Sequence, residues 1–384
     1  MVDSQKVPTI LTGNDFREMV AAGTQCIEQY VDAINALNVF PVPDGDTGIN
    51  MLLTLRTEKN PAVQSEGQET IAEASDAIAH SALLGARGNS GVIFSQFLRG
   101  FATSLSTFKQ GDTSVIAESL ANGAAAAYKA VSQPVEGTML TVLRAAADGA
   151  KKAGEVPIQE MWRIALHEAK ESLSHTPEML PVLNEAGVVD SGGQGVVAFM
   201  TGALAFLEGQ SEIRMDITIP AKSTKNAGSL QATAVDHAYL NQTEEDAYGY
   251  CIQLLINGQD MNVDAIRDMV SRLGNSTVVI GDQTIVKVHT HATEPEPILQ
   301  LVHSLGTIDQ LKIENMDAMH EEFMELHGYV QETKPVGLVA IASGAGLQQL
   351  FKDLGVSFVV PGGQTMNPSA QQILQAIIEA RAHH

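Results

Sequence analysis

Two carboxylates one residue apart, Asp44 and Asp46, stand in the stretch Asn35-Ala-Leu-Asn-Val-Phe-Pro-Val-Pro-Asp-Gly-Asp-Thr-Gly-Ile-Asn-Met51. Hard divalent cations take clustered oxygen ligands, so the pair suits Mg²⁺. Pro41 and Pro43 stiffen the loop, and Gly45 and Gly48 let it bend. An apolar helical pattern (Met51, Leu52, Leu53, Leu55) begins directly after Thr47, Gly48 and Asn50. A helix start offers free N–H groups to phosphate oxygens, so one short loop can supply metal ligands and phosphate donors together. The same letters also describe an ordinary Asp-Gly turn with Asp46 or Thr47 as N-cap.

Three more loops put small residues and hydroxyls immediately before a helix. Leu84-Gly-Ala-Arg-Gly-Asn-Ser-Gly91 carries Asn89 and Ser90 ahead of a helix expected over Val92–Phe101, with Ser90 as a candidate N-cap. Arg87 in that loop could meet a phosphate or stay solvated. Pro134-Val-Glu-Gly-Thr-Met139 and Val188-Val-Asp-Ser-Gly-Gly-Gln-Gly195 precede two further apolar helices. One such loop is a common helix connection; four in one helical region suggest loops converging on a ligand at one end of a bundle. Far along the chain, Ile285-Val-Lys-Val-His-Thr-His291 places His289 and His291 two apart on a strand, on one face. With Cys251 from another expected strand they form a set of three ligands suited to Zn²⁺ with one position open. The other reading is two surface strand histidines and an unrelated cysteine.

The elements that must position these groups fall into three regions. Up to about residue 210 the periodicity is helical: Thr12 or Asn14 can cap a helix running to about Leu37, with Phe16, Met19, Val20, Ile27, Tyr30, Val31, Ile34 and Leu37 on its core face and Cys26 within it. Further helices are expected at about 48–56, 68–84, 112–130, 138–152, 157–175 and 193–208. Residues 213–243 turn small and polar and read as a linker. Strands are expected at 248–256, 276–281 and 284–291, with helices near 262–273 and 294–304, in a small α/β domain over 244–332. His303, His320 and His327 fall in helical patterns and read as surface or core residues. From 333 a strand (336–342), the turn Ser343-Gly-Ala-Gly346, a helix (347–354), a strand (356–360) and a last helix (369–382) begin a parallel α/β sheet. Two strands make a poor core, so the chain is expected to be a fragment or a short member of its kind.

Composition bounds the partners. The 384 residues are 44% hydrophobic and 18% charged, with a formal charge of −22. That balance argues against nucleic acid and against an anionic membrane surface. No apolar run approaches the roughly 18–20 residues of a membrane helix. No basic stretch followed by an apolar run opens the chain. Two cysteines cannot build a disulfide framework and fit a reducing cytoplasm.

Asn-Val-Phe-Pro-Val-Pro-Asp-Gly-Asp-Thr-Gly-Ile-Asn-Met, Ala-Arg-Gly-Asn-Ser-Gly, Gly-Thr-Met-Leu and Val-Asp-Ser-Gly-Gly-Gln-Gly, in this order and spacing, resemble the nucleotide-binding domain of the dihydroxyacetone kinase family. The longer phrase is most similar to the bacterial fatty-acid kinase branch, to its ATP-binding catalytic subunit. Gly362-Gly-Gln-Thr-Met-Asn-Pro-Ser369 extends the likeness through most of the chain. The resemblance implies a multidomain protein: an N-terminal all-α antiparallel helical barrel (1–212) with ATP at one end, then an α/β middle domain and the start of a further α/β domain. It implies that Asp44 and Asp46 hold two Mg²⁺ ions bridging the phosphates. Thr47, Gly48, Ile49, Asn50, Asn89 and Ser90 would line the phosphates, and Met139, Asp190, Ser191 and Gly192 would lie near base and ribose. Dihydroxyacetone kinases carry a further aspartate five residues before the first of the pair. That position is Val39 here, leaving Asn38, as a weaker neutral ligand, or a water to complete the metal site. The middle domain of the fatty-acid kinase protein has a similar Cys and His-x-His arrangement, and a homodimer through that domain is implied as well.

The expected activity is transfer of phosphate from Mg-ATP to the carboxylate of a fatty acid presented by a separate binding protein, giving an acyl phosphate. A carboxylate is ionised at pH 7 and needs no general base, whereas a hydroxyl benefits from one, and no histidine lies in the four loops. The alternatives are the nucleotide-binding subunit of a dihydroxyacetone-type kinase and a non-catalytic nucleotide-sensing scaffold.

Overall fold

The computed structural model describes residues 10–56, 69–210, 212–218, 248–326, 338–356 and 358–361, together with Val235, Tyr239, Leu374 and Ala376. The chain divides into two compact units, residues 1–328 and 329–384.

The first unit opens with eleven helices among the described residues: α1 (Gly13–Gln29), α2 (Val31–Asn35), α3 (Thr47–Leu55), α4 (Ile71–Gly85), α5 (Gly88–Leu105), α6 (Thr113–Ala130), α7 (Met139–Ala153), α8 (Ile158–Ser174), α9 (Thr176–Met179), α10 (Pro181–Ala186) and α11 (Ser191–Leu207). Their starts follow local chemistry. Thr12 and Thr70 each close a capping box, with Asp15 and Glu73, and the Asp112 side chain caps α6. α1 packs on α4, α4 on α5, and so on through α6, α7 and α8 to α11, which returns to α1. The sequence of neighbours therefore closes on itself, with α3 inside it against α1, α4, α5 and α11. In the core Phe16 stacks on Phe101 and Phe94 on Phe97, Phe199 meets Phe94 edge-on, and the buried Trp162 donates its indole N–H to the Met200 carbonyl.

Two expectations are corrected here. The first helix does not run to Leu37. It ends at Gln29, and Tyr30 (φ −114°) begins a new short helix that delivers Asn35 and Asn38 to the next loop. The helix expected from Val92 starts four residues earlier, at Gly88, whose φ of +58° is open to glycine. Its N-cap is Arg87 and not Ser90, and the exposed Arg87 side chain makes no capping bond. Within 213–218, the N–H of the buried Met215 donates to the Tyr30 hydroxyl and Thr218 to Gln194. Most of the remaining linker expected to 243 lies outside the described residues.

The sheet that follows is built from β1 (Tyr250–Asn257), β2 (Asn275–Gly281), β3 (Ile285–Ala292) and β4 (Thr307–Asn315), with α12 (Val263–Val270) after β1, α13 (Glu296–His303) after β3 and α14 (Met316–Leu326) after β4. The order is β2-β3-β1-β4 and every neighbouring pair is antiparallel. That is the split βαβ arrangement, in which each βαβ pair is separated by a strand of the other. Ile252, Leu254, Ile256, Val279, Val286 and Val288 face Ile266, Val270, Ile298 and Val302 of the two sheet helices. The alternate residues face the helical bundle: Val278 and Ile280 pack with Ala86, Val92 and Ala130. The Lys287 ammonium reaches the Leu83, Leu84 and Ala86 carbonyls at the end of α4, and Arg99 donates to the Gly281 carbonyl. The central strands β1 and β3 are thus buried on both faces, with polar residues such as Gln253, Lys287 and His289 enclosed on the bundle side. Strand β4, exposed at the sheet edge, is absent from the sequence expectations. Its alternation breaks at Gln310 (φ +50°), and none of its residues is fully buried.

In the second unit β5 (Val339–Ala342) pairs in parallel with β6 (Phe358–Pro361) across α15 (Ala345–Asp353), as expected of a parallel βαβ start. The phrase at 362–369, the last helix at 369–382 apart from Leu374 and Ala376, and His327 lie outside the described residues. Among the described residues no helix is long and apolar enough to cross a membrane.

Candidate functional site

A cleft enclosing about 950 Å³, with the solvent at its mouth included, runs between the bundle and the sheet. Asn38, Asp44, Asp46 and Thr47 line it from the first loop and Asn89 and Ser90 from the second. Thr138 and Met139 line it from the third, and Asp190, Ser191 and Gly192 from the fourth. Cys251, His289 and His291 line it from the sheet. Four stretches spread over some 150 residues of sequence thus meet, and the cysteine–histidine cluster, separate in sequence terms, opens onto the same space. Gly48, Ile49, Asn50 and Arg87 are not among its lining residues.

The aspartate loop is held from both sides. Asn38, 2% exposed, accepts from the Thr47 N–H (3.1 Å) and hydroxyl, and donates to the Val42 carbonyl (2.7 Å) and to Asp44 (3.0 Å). The Ser191 hydroxyl continues this chain by donating to Thr47 Oγ1. From the far side, His320 Nδ1 lies 3.1 Å from the Pro43 carbonyl, and Phe323 packs against Gly45 (φ +65°). Asp44 and Asp46 are partly open to the cleft and otherwise enclosed by protein. Burial pushes both carboxyls up, and for Asp44 the neighbouring Asp46 charge adds to the rise. A hydrogen bond from Asn50 works the other way on Asp46. Two crowded carboxylates that resist ionising together are what a divalent cation relieves. Asn38, the alternative to a water as a further metal ligand, is already engaged within the loop. Its carbonyl is taken by Thr47 and its amide faces Asp44, so its part is to orient the loop.

The helix starts around the cleft differ. At α3 the Gly48 and Ile49 N–H groups donate to Asn35 Oδ1 (2.7 and 3.3 Å) and Thr47 to Asn38, so the donors expected for phosphate at Thr47, Gly48 and Ile49 are already used. Asn50 donates its N–H to the Asp46 carbonyl, as a helix interior residue does. At α7 and α11 one buried carboxylate serves both starts: Asp190 accepts from Gly193 N–H (2.7 Å) and from Met139 N–H. Burial pushes Asp190 up to about 7 against these two bonds. It lines the cleft beside Met139, Ser191 and Gly192, and its oxygens also cap the two helices. At α5, Gly88 N–H donates to Gln253 Oε1 (3.2 Å), and among the described residues the Asn89 and Ser90 N–H groups beside it have no acceptor. Asn89 and Ser90 therefore leave two N–H groups of this helix start free to meet an anion.

On the sheet, Cys251 stands opposite His291 and Gln253 opposite His289 across β1 and β3. The ligand atoms of Cys251, His289 and His291 all lie within 4.8 Å of one another, and all three residues are buried. Burial holds both histidines neutral: His291 is brought down to about 4, and His289 goes further down with help from His291 and Lys287. The thiol is pushed up to about 12 by burial and by the acidic groups Glu314, Asp46 and Asp44. Nε2 of His289 is buried with no hydrogen-bond partner among the described residues. Two neutral imidazoles and a thiol, one nitrogen orphaned, fit a Zn²⁺-type ion with an open position.

Three residues that position this site were not singled out in sequence, Asn35, Gln253 and Lys287, and a fourth, His320, was read only as a surface or core residue. The signal for Gln253 was present, since Cys251-x-Gln253 places both on the face that carries His-x-His. Asn35, Lys287 and His320 act through tertiary contacts that no local pattern announces.

Comparison with known proteins agrees with the motifs. A DAK2 domain model matches residues 41–205, a FakA-like fatty acid kinase middle domain 247–323, and a FakA-like fatty acid kinase C-terminal domain 337–384. An uncharacterised protein of Staphylococcus saprophyticus is 39% identical over 386 residues, 97% of this chain and 68% of its own length. Protein YloV of Bacillus subtilis is 39% identical over 395 residues with the same two coverages. An uncharacterised protein of Staphylococcus aureus is 36% identical over 382. With all three parts matched in order, the chain belongs to the FakA-like fatty acid kinase family of DAK2-domain proteins.

Proposed function

We propose that this chain binds Mg-ATP in the cleft and transfers the γ-phosphate to a fatty-acid carboxylate brought by a separate acyl-carrying protein. The observation that carries the reading is the meeting of Asp44 and Asp46 with the open start of α5. Carboxylates for a metal and free N–H groups for an anion face one space. Asp44 and Asp46 would hold Mg²⁺, which would neutralise the phosphate charge. Asn89 and Ser90 would hold phosphate oxygens, and Met139 and the apolar wall of Phe40, Ile93, Val131 and Leu140 would take the base. In the transfer a carboxylate oxygen bonds to the γ-phosphorus as the bond to the β,γ-bridging oxygen breaks, giving acyl phosphate and ADP. The closed ring of helix neighbours supports the antiparallel barrel of this family. The exposed edge strand β4 would serve a homodimer.

No histidine lies in the four loops, but His289 and His291 line the cleft from the sheet as neutral imidazoles and could serve a hydroxyl acceptor. A dihydroxyacetone-type reaction therefore stays as the second reading. The fatty acid kinase-like middle and C-terminal matches favour the carboxylate. The experiment is turnover of Mg-ATP with an acyl-loaded carrier or with glycerone, trapping products with hydroxylamine. Acyl hydroxamate from the carrier supports the carboxylate; ADP release with glycerone and no hydroxamate from the carrier would sink it.

A further inference from the structure

We propose that Gln253 is the positioning residue that couples the Cys251–His289–His291 cluster to the phosphate end of the cleft. The inference rests on the reading that α5 and the aspartate loop bind Mg-ATP.

Gln253 is 7% exposed and projects from β1 on the face that carries Cys251. Its carboxamide is used at both ends. Oε1 accepts the Gly88 N–H at 3.2 Å, supplying from the sheet the cap that Arg87 does not, and Nε2 donates to Cys251 Sγ at 3.6 Å. The reverse orientation would set amide hydrogens against the Gly88 N–H, so the two partners assign the group. Beyond Gly88 the contacts continue. A Cβ there would collide with Asn50 Nδ2, and Asn50 hydrogen-bonds to Asp46. Cys251, Gln253, Gly88, Asn50 and Asp46 thus form one unbroken line from the thiol to the metal-binding carboxylate.

A metal-bound thiolate is a charged acceptor, whereas a free thiol accepts weakly. Loading the cluster with a thiophilic cation therefore tightens Gln253 Nε2 on sulfur and fixes Oε1 under Gly88. That settles the first turn of α5 with the Asn89 and Ser90 amides facing the cleft. Gln253 then makes nucleotide affinity depend on the state of the cluster, and linkage requires the reverse dependence to the same factor.

The test is calorimetric titration of Mg-ATP into the chain, zinc-loaded and chelator-stripped, as wild type, Gln253→Met and Gln253→Glu, with zinc content and melting temperature measured for each. The glutamate keeps an acceptor for Gly88 and loses the donor to sulfur, so it serves where the methionine variant does not fold. Expected is a zinc-dependent gain of about five- to tenfold in Mg-ATP affinity in the wild type, within the usual range of coupling between sites. In both variants that gain disappears while zinc is retained. Variants that still show the full gain, or a wild type that binds Mg-ATP with no zinc dependence, overturn the coupling and leave the kinase reading intact. A wild type that does not bind Mg-ATP under either condition overturns both.

Discussion

The starts of α3 and α5 face the same cleft and are built on opposite plans. At α3 three amides are spent on the carboxamides of Asn35 and Asn38, and what the cleft receives is a pair of carboxylates. At α5 the chain brings no capping side chain of its own, a distant glutamine takes the first amide, and the next two are left for a ligand. The difference teaches that a helix start is not by itself an anion site. What decides is whether neighbouring side chains have already taken its N–H groups, and on the proposed reading the division gives one start to cations and the other to phosphate.

The largest effect should come from removing the cation half. Asp46→Asn keeps the shape of the side chain and halves the charge of the pair. We expect Mg-dependent ATP binding to fall at least about a hundredfold by calorimetry, the loss of a charged metal ligand being worth several kcal/mol. Relief of the like-charge contact with Asp44 should leave the melting temperature of the metal-free protein unchanged or raised. A fall in melting temperature together with the binding loss would mean that Asp46 is structural and would break the comparison.

Gly88→Ala attacks the anion half. The new methyl would run into the Asn50 carboxamide, and φ is +58°, so the turn must open. Strain of this kind costs about 1–3 kcal/mol, and we expect roughly a tenfold loss of Mg-ATP affinity, seen as a rise in KM for ATP. An unchanged KM would mean that the α5 start does not hold phosphate.

How much of this was legible beforehand follows from how far apart the partners lie. Asp44, Asp46 and the four glycine-rich loops were visible because the chemistry of each is local, and the longer helices announced themselves by period and, for the first, by the cap Thr12. The break at Tyr30 was hidden because Val31 and Ile34 continue the apolar period of α1 across it. Strand β4 was hidden because an exposed edge with a positive-φ residue has no alternation to read. The used amides of α3 were hidden because Asn35 and Asn38 look like helix residues until the chain turns. The union of the cysteine–histidine cluster with the aspartates depends on β1 and β3 packing on the bundle, through Lys287 on α4 and Val278 beside Ala130. No stretch of sequence contains that contact.

Asn35→Ala sharpens the comparison from the other side, because it frees the Gly48 and Ile49 amides without touching a carboxylate. Loss of a cap of this kind costs about 0.5–2 kcal/mol, so melting should fall by several degrees while Mg-ATP affinity stays within about threefold. A gain in affinity for free phosphate would show that the two helix starts differ only in what covers them.

The smallest effect concerns the shared cap of α7 and α11. Asp190 is raised from the ordinary carboxylate value to about 7 by burial, so the folded state binds its proton more tightly than the unfolded chain does. The stability it lends is complete below the unfolded value near 3.9 and is lost as pH climbs toward about 7. Metal-free wild type should therefore melt a few degrees higher at pH 5 than at pH 7, and Asp190→Asn should flatten part of that slope. Asp44 and Asp46 are raised too and contribute in the same direction, so the Asp190 share is the difference between Asp190→Asn and wild type, each measured with and without Asp46→Asn in the background. An Asp190→Asn slope equal to wild type in both backgrounds would mean that the Gly193 and Met139 amides hold this carboxylate ionised. Asp190 would then join Asn35 and Asn38 as an ordinary cap.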